Sequence, residues 1–543
     1  MEYVDFQHVD GGNAAKLYDV AVEEQGSETA IATRNRTITH AELDEWAGRF
    51  AGGLHERGLQ PDDRLLVYLP NCPEFLVALF GGLRAGTPVS PANPQYRARE
   101  LTHQLTDSDA RAVVTHESLR DILEEALENS DTKPLVITVS NSTENGSSES
   151  AARDSVETDT ESGNTETTED VAFESVDAEP ICVERTDDDV ATQLYTSGTT
   201  GKPKGVLSTH RSLRAQAFTG LHSEVEPDED RVLVYLPLYH TTGVYHCTWQ
   251  PLIRGGEVHL RSPSDWDPQA AMADIEAHEI TSFNGVTTMY VDMVNHESFG
   301  EYDLTSLRYA GEGGAKMSVT VQEEFETVAG VGMYEGYGLT ETSGATHAGA
   351  GSTFGPRLGT VGQPYRMTDC KIVDVEGNEV PPGEEGELLI RGPHVMKGYH
   401  DLPKATEAAF TETGYFRTGD LARCDEDNYY EIIGRSKDVI VSAGYNIYPA
   451  EVEDLLREHE AVADAAVIGI DDERRNEVPK AYVVLRQGVD VDTDISEDDI
   501  KEFALEHLAA YKHPREVEFI EELPRTASGK VRKFELKEQE TSR

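Results

Sequence analysis

The chain is poor in the features that mark a membrane-spanning, secreted or nucleic-acid-binding protein. Nowhere do its 543 residues run apolar and uncharged for the roughly 18 positions that a membrane-crossing helix needs. The opening Met1-Glu-Tyr-Val-Asp5 has neither the basic stretch nor the apolar core of a secretory leader. Five cysteines, Cys72, Cys182, Cys247, Cys370 and Cys424, are scattered without a Cys-x-x-Cys pair, so no disulfide framework or thiolate metal cage is indicated and a cytoplasmic setting is expected. Basic residues are scarce. Against 101 Asp and Glu stand 47 Lys and Arg, a net charge of -54, which leaves no cationic stripe to neutralise a nucleic-acid backbone. The acid is spread along the whole chain, a pattern suited to a halophilic cell, where salt screens the self-repulsion. Also missing are the Gly-x-Ser-x-Gly elbow of a serine hydrolase and the Gly-Lys-Ser/Thr ending of a Walker A loop.

What is present is a different phosphate loop. Tyr195-Thr-Ser-Gly-Thr-Thr-Gly-Lys-Pro-Lys-Gly205 gathers the hydroxyls of Thr196, Ser197, Thr199 and Thr200 with Gly198, Gly201, Lys202 and Lys204. Glycines permit close backbone approach, exposed amides and hydroxyls donate to phosphate oxygens, and the two lysines supply positive charge. The preceding Val190–Tyr195 reads as a short strand that delivers this turn at its end.

At this length two or more domains are expected. Helical stretches such as 41–57 and 72–85 alternate with short apolar strands at 64–69 and 111–115, the grammar of an α/β fold. From Asn141 to Pro180 the chain carries twelve acidic residues and one arginine among Ser, Thr and Gly, too little apolar surface to offset the entropy of ordering, so a flexible surface insertion is expected. Alternation resumes with strands at 232–236, 257–260 and 280–283. Short strands with Gly-Pro turns fill 373–435, and helix 450–457, strands 462–469 and 480–485 and helix 497–510 suggest a small α+β domain. The boundary is placed near Ser436, giving domains 1–435 and 436–543.

Three further clusters carry chemistry. In Tyr334-Glu-Gly-Tyr-Gly-Leu-Thr-Glu-Thr342, Tyr337 can stack on a base, Thr340 can donate to phosphate and Glu341 can hold Mg²⁺ through oxygen. Asp420, in Tyr415-Phe-Arg-Thr-Gly-Asp-Leu421, can accept both ribose hydroxyls, with Arg435 as a partner for the same sugar or a phosphate. Near the C-terminus, Pro524-Arg-Thr-Ala-Ser-Gly-Lys-Val531 exposes Lys530, whose ammonium can stabilise charge on a transferring phosphoryl group.

With these segments in this order, and with Leu236-Pro-Leu-Tyr-His240 and Gly444-Tyr-Asn-Ile-Tyr-Pro-Ala-Glu-Val-Glu453, the chain resembles the adenylate-forming superfamily of acyl-CoA synthetases, firefly luciferases and nonribosomal-peptide adenylation domains over nearly its full length. The resemblance implies a large α/β N-terminal domain of two related subdomains and a distorted β-barrel, joined to a mobile α+β C-terminal domain. It implies that Thr196 through Lys204 grip the phosphates of ATP, that Tyr337 lies on adenine, and that Thr340 and Glu341 serve the α-phosphate and Mg²⁺. Asp420 and Arg435 would hold the ribose and His240 would line the acyl site. Lys530 would be the adenylation lysine, Lys437 the hinge, and Gly444 the meeting point with the pantetheine arm of coenzyme A.

The implied reaction has two steps: a carboxylate attacks the α-phosphorus of ATP, then a thiolate attacks the acyl-adenylate. Since the substrate brings its own nucleophile, the protein's part is alignment and charge stabilisation. The Gly444–Glu453 run is most similar to medium- or long-chain fatty acyl-CoA ligases, with aryl or short branched acids, or loading of a carrier protein, as alternatives. A degenerate nucleotide-binding scaffold is the non-enzymatic alternative, and Lys202, Glu341, Asp420, Arg435 and Lys530 stand against it. The partners are thus a small carboxylic acid, ATP and coenzyme A, with a homodimer left open. The expected acyl walls are 283–289 and 310–317, where Glu312 and Lys316 depart from the family's usual pattern and either face solvent or pair with each other.

Overall fold

The computed structural model describes residues 11–140, 170–196, 203–221, 230–313, 317, 319–350, 352–442, 445–472, 474–486, 488–489, 491, 495–526 and 530–541. Two large sheets form the N-terminal part. One has eight strands in the order Gly398–Tyr399, Gly205–Thr209, Val190–Tyr195, Val89–Pro91, Arg64–Tyr68, Ala110–His116, Leu135–Val139 and Asp170–Ala172. The other has nine: Gln363–Pro364, Gly344–Ala348, Met333–Leu339, Tyr309–Gly313, Ser282–Gly285, Arg231–Val234, Glu257–Leu260, Thr29–Ala32 and Thr37–Thr39. Pairing within the middle of each is parallel, so the loops that follow these strands gather at one sheet edge, where ligands bind in open α/β folds.

The helix His40–Glu56 shows how sequence sets these elements. Thr39 and Glu42 close a capping box, with the Thr39 amide donating to Glu42 Oε2 at 2.8 Å and the Glu42 amide to Thr39 Oγ1 at 3.2 Å. Leu43, Ala47, Phe50, Ala51 and Leu54 recur with helical spacing and are buried against Pro73–Ala85 and the sheet. Phe80 of the second helix stacks on Trp249 at 5.1 Å and so joins the two sheet layers in one core.

The expected insertion 141–180 needs correction at its C-terminal end; residues 141–169 lie outside the described residues. Asp170–Ala172 pairs with Leu135–Val139, and Phe173 stacks on Phe50 at 4.8 Å. The next residues lie directly on the helix, because Gly52 and Gly53 have no side chain there: a Cβ on Gly52 would meet Glu179 O at 2.1 Å. Arg49 fixes the strap through Asp177 Oδ2 at 2.6 Å. One aromatic and two glycines outweigh an acidic composition.

Where the resemblance implies a distorted barrel, Asp369–Val373, Gly386–Arg391, Phe416–Cys424 and Tyr430–Arg435 form an antiparallel sheet, and no pairing among the described residues closes it. A separate five-stranded sheet follows, built from Ile440–Ser442, Tyr445–Ile447, Val462–Asp472, Asn476–Leu485 and Glu516–Phe519, with helices Pro449–Arg457, Glu497–His507 and Lys533–Thr541. It has its own core of Ile447, Val452, Leu456, Val467, Val483 and Ile500. Among the described residues no helix is long and apolar enough to cross a membrane.

Candidate active site

The strand edges converge on a cavity of about 620 Å³ lined by Thr196, Lys204, His240, Tyr337, Thr340, Glu341, Arg435 and Lys530. These residues come from both sheet layers, the antiparallel sheet and the C-terminal domain. Ser197, Gly198, Thr199, Thr200, Gly201, Lys202 and Gly444 lie outside the described residues. The stems of the phosphate loop are held together, the Thr196 amide donating to Lys204 O at 3.1 Å.

Antiparallel register puts Asp420 directly across from Arg435. Arg435 Nε sits 3.0 Å from Asp420 Oδ1, and the Tyr337 hydroxyl donates to Asp420 Oδ2 at 2.6 Å. Burial, with the Asp420 carboxylate beside it, raises the Tyr337 phenol well above its usual range, so this hydroxyl stays a donor. The same trio borders an adjoining cavity of about 490 Å³ between the two domains. Met333–Leu339 reaches this place because Gly338 passes close to its neighbour; a Cβ there would meet Gly344 O at 2.2 Å.

Glu341 accepts a 2.9 Å hydrogen bond from the Tyr399 hydroxyl, and Lys204 Nζ lies 3.8 Å from the centre of the Tyr399 ring. Tyr399 was not legible as a site residue. Its strand is two residues long and reaches the site only by pairing with Gly205–Thr209, a contact that no local pattern announces. The Glu341 carboxylate, a hard oxygen donor facing the cavity, fits one protein ligand of a Mg²⁺ ion whose remaining ligands are phosphates and water.

Lys530 enters from the C-terminal domain on a loop whose ends are pinned: the Lys530 amide donates to Thr526 Oγ1 at 3.1 Å and the Thr526 amide to Lys530 O at 2.8 Å. Burial, and then the nearby Arg435 guanidinium, push its ammonium down to about 8. Lys437 lines both cavities beside it.

His240 ends the strand-to-helix turn after Arg231–Val234. Burial pushes its imidazole down to about 4, so it is neutral at pH 7, and its Nε2 has no hydrogen-bond partner among the described residues. The π-helix Thr242–Trp249 follows, a rare conformation that often marks a functional site. Beyond it the cavity is walled by Asn284, Gly285, Val286, Thr288 and Met289. Phe283 is turned away, stacked on Trp266 at 6.3 Å. Glu312 corrects the expectation of a solvent-facing charge: it is 4% exposed, lines the cavity, and accepts from Thr287 Oγ1 at 2.8 Å. Its expected partner Lys316 lies outside the described residues, as do Gly314 and Ala315.

A model of the AMP-binding enzyme family matches residues 18–400, and one of the AMP-binding enzyme C-terminal domain matches 451–530. A long-chain-fatty-acid–CoA ligase of Bacillus subtilis is 35% identical over 531 residues, covering 94% of this chain and 92% of its own. A feruloyl-CoA synthase of an Amycolatopsis species is 33% identical, covering 94% and 95%. Among solved structures, ATP-bound MatB from Rhodopseudomonas palustris superimposes with a TM-score of 0.83 at 29% identity, covering 97% and 98%.

Proposed function

Because the chain belongs to the AMP-binding enzyme family, we propose that the cavity performs both halves of AMP-forming acyl-CoA synthesis on a compact carboxylic acid. The observation that carries this reading is the meeting of Lys530, Arg435, Thr340, Glu341 and Lys204 around one cavity that His240, Asn284 and Tyr309 also line.

In the first half-reaction the phosphate-loop stems, with Lys204, hold the triphosphate, while Tyr337 supports the base and Asp420 with Arg435 takes the ribose. The acid's carboxylate attacks the α-phosphorus from the side of His240. A neutral His240 suits this position, since it adds no charge to trap the carboxylate in its ground state. Lys530 and Thr340 donate to the oxygens on which charge develops, and pyrophosphate leaves. Glu341 would hold a Mg²⁺ brought with the nucleotide, whose charge would neutralise that of the phosphates. In the second half the thiolate of coenzyme A attacks the acyl carbonyl and AMP leaves.

The relative from Bacillus subtilis suggests a fatty acid, whereas the chamber favours the shorter end of that range or an aryl acid. On this reading the cavity of about 620 Å³ takes the acid and the phosphates, and Asp420 places the ribose against the adjoining cavity of about 490 Å³, each within the span of roughly 300–1,000 Å³ usual for one drug-sized ligand. The test is Mg-ATP-dependent conversion of a panel from acetate to palmitate, with benzoate and cinnamate, in concentrated KCl with and without coenzyme A. Acyl-CoA and AMP are expected for compact acids; pyrophosphate release without a thioester would point to carrier loading instead.

A further inference from the structure

The inner end of the acyl chamber is polar. Tyr309 opens the strand Tyr309–Gly313, in which Gly311 pairs in parallel with Tyr334, six residues before Thr340 along the neighbouring segment. Two residues along, Gly311 has room for no side chain: a Cβ there would meet Asn284 Oδ1 at 2.1 Å and the Tyr309 hydroxyl at 2.7 Å. The Asn284 carboxamide and the Tyr309 phenol therefore converge on one spot, 7% and 8% exposed, and both line the cavity. His246, from the π-helix, brings its Nε2 to 3.5 Å from the Tyr309 hydroxyl. That is beyond the usual hydrogen-bond range of up to about 3.2 Å and leaves both atoms short of a full-strength partner. Burial holds the His246 ring below its ordinary pKa, hence neutral, so that one of its two nitrogens is an acceptor.

Nearer the mouth the wall is bare. A Cβ on Gly313 would come no closer than 3.4 Å to Gly336 O, and one on Gly336 no closer than 3.6 Å to its neighbours. Side chains would fit at both positions, so their absence leaves volume for a ligand body.

We infer that this end of the chamber recognises a hydroxyl carried by the substrate at the end remote from its carboxylate, received by Tyr309, Asn284 and His246. The inference rests on the acid-activating reading above and narrows it to hydroxylated acids. The chemistry is shared by a phenolic acid and an ω-hydroxy aliphatic acid, and the experiment separates them.

The test measures kcat/KM for AMP formation with matched pairs: 4-hydroxycinnamate against cinnamate, 4-hydroxybenzoate against benzoate, and 8-hydroxyoctanoate against octanoate. A site built to hydrogen-bond a hydroxyl rejects its absence strongly, so the hydroxylated member of at least one pair is expected to lead by about tenfold or more. The pair that does so identifies an aromatic or aliphatic body. Tyr309→Phe, which removes one oxygen, and His246→Leu should shrink that ratio by lowering the rate with the hydroxylated acid, with less change for its unsubstituted partner. Ratios near or below one in wild type overturn the inference while AMP formation still upholds acid activation; no AMP with any acid overturns both. If a variant fails to fold, the wild-type ratios alone decide.

Discussion

The Tyr337 hydroxyl and the Asp420 carboxylate meet at 2.6 Å across two different sheets. This bond ties the strand Met333–Leu339 to the hairpin 416–435, so the proposed base and ribose subsites cannot shift independently. Asp420→Ala should raise the KM for ATP by about 10- to 100-fold, in line with roughly 1.5–3 kcal/mol for hydrogen bonds to a charged group. Tyr337→Phe should cost less, because the ring remains. Equal ATP affinity in wild type and Asp420→Ala, measured calorimetrically, would remove Asp420 from the nucleotide site.

Lys530→Ala should lower kcat for acid-dependent pyrophosphate release by about 10²- to 10³-fold, the range for losing one donor to developing charge, with a smaller loss in ATP affinity. Unchanged pyrophosphate release would end its assignment.

The same lysine predicts a pH dependence. In the proposed role it acts as a cation, and burial pushes its ammonium down to about 8 in the free enzyme, so kcat/KM for ATP should decline as pH rises through that value. Lys530→Arg, always charged, should retain some activity and lose this limb. A profile flat to pH 10 in wild type would contradict the role.

Four histidines should make the fold acid-labile. Burial pushes His210 and His347 down to about 3 and His240 and His394 down to about 4, all from an ordinary 6.5. Below pH 6.5 the unfolded chain takes up protons that the folded one refuses. Their stabilisation is therefore full above 6.5 and falls as pH drops toward 4, by about 1.4 kcal/mol per pH unit for each histidine. Denaturant midpoints that stay level between pH 6.5 and 4.5 would refute this.

The net charge of -54 predicts that melting temperature rises with KCl. Between 0.1 and 1 M the screening length shrinks from about 10 to about 3 Å, which removes most repulsion between surface carboxylates. A melting point independent of KCl would mean that the acid is already balanced locally.

Short apolar strands bounded by turns were legible from sequence: Val190–Tyr195 and Glu257–Leu260 have the expected limits. The run of hydroxyls, glycines and lysines that follows Val190–Tyr195 was legible as a pattern too, because its residues lie close together in the chain. The π-helix was not, because nothing in Thr242–Trp249 distinguishes one hydrogen-bond span from another. Nor were Tyr309 and His246, ordinary core residues by sequence, whose polar ends meet only when a helix packs on a distant strand. Thr39 and Glu42 carried a readable capping signal, yet the helix starts at His40, one residue before the expected position.

The pinned loop that bears Lys530 belongs to the smaller domain, whereas the groups it assists belong to the larger. The charge proposed to drive adenylate formation is thus carried by a separate part of the chain. On the proposed role of Lys530, moving the smaller domain away would leave an acyl-adenylate without that ammonium, so the step could not run backward and the intermediate would be protected from pyrophosphate while it waited for a thiol.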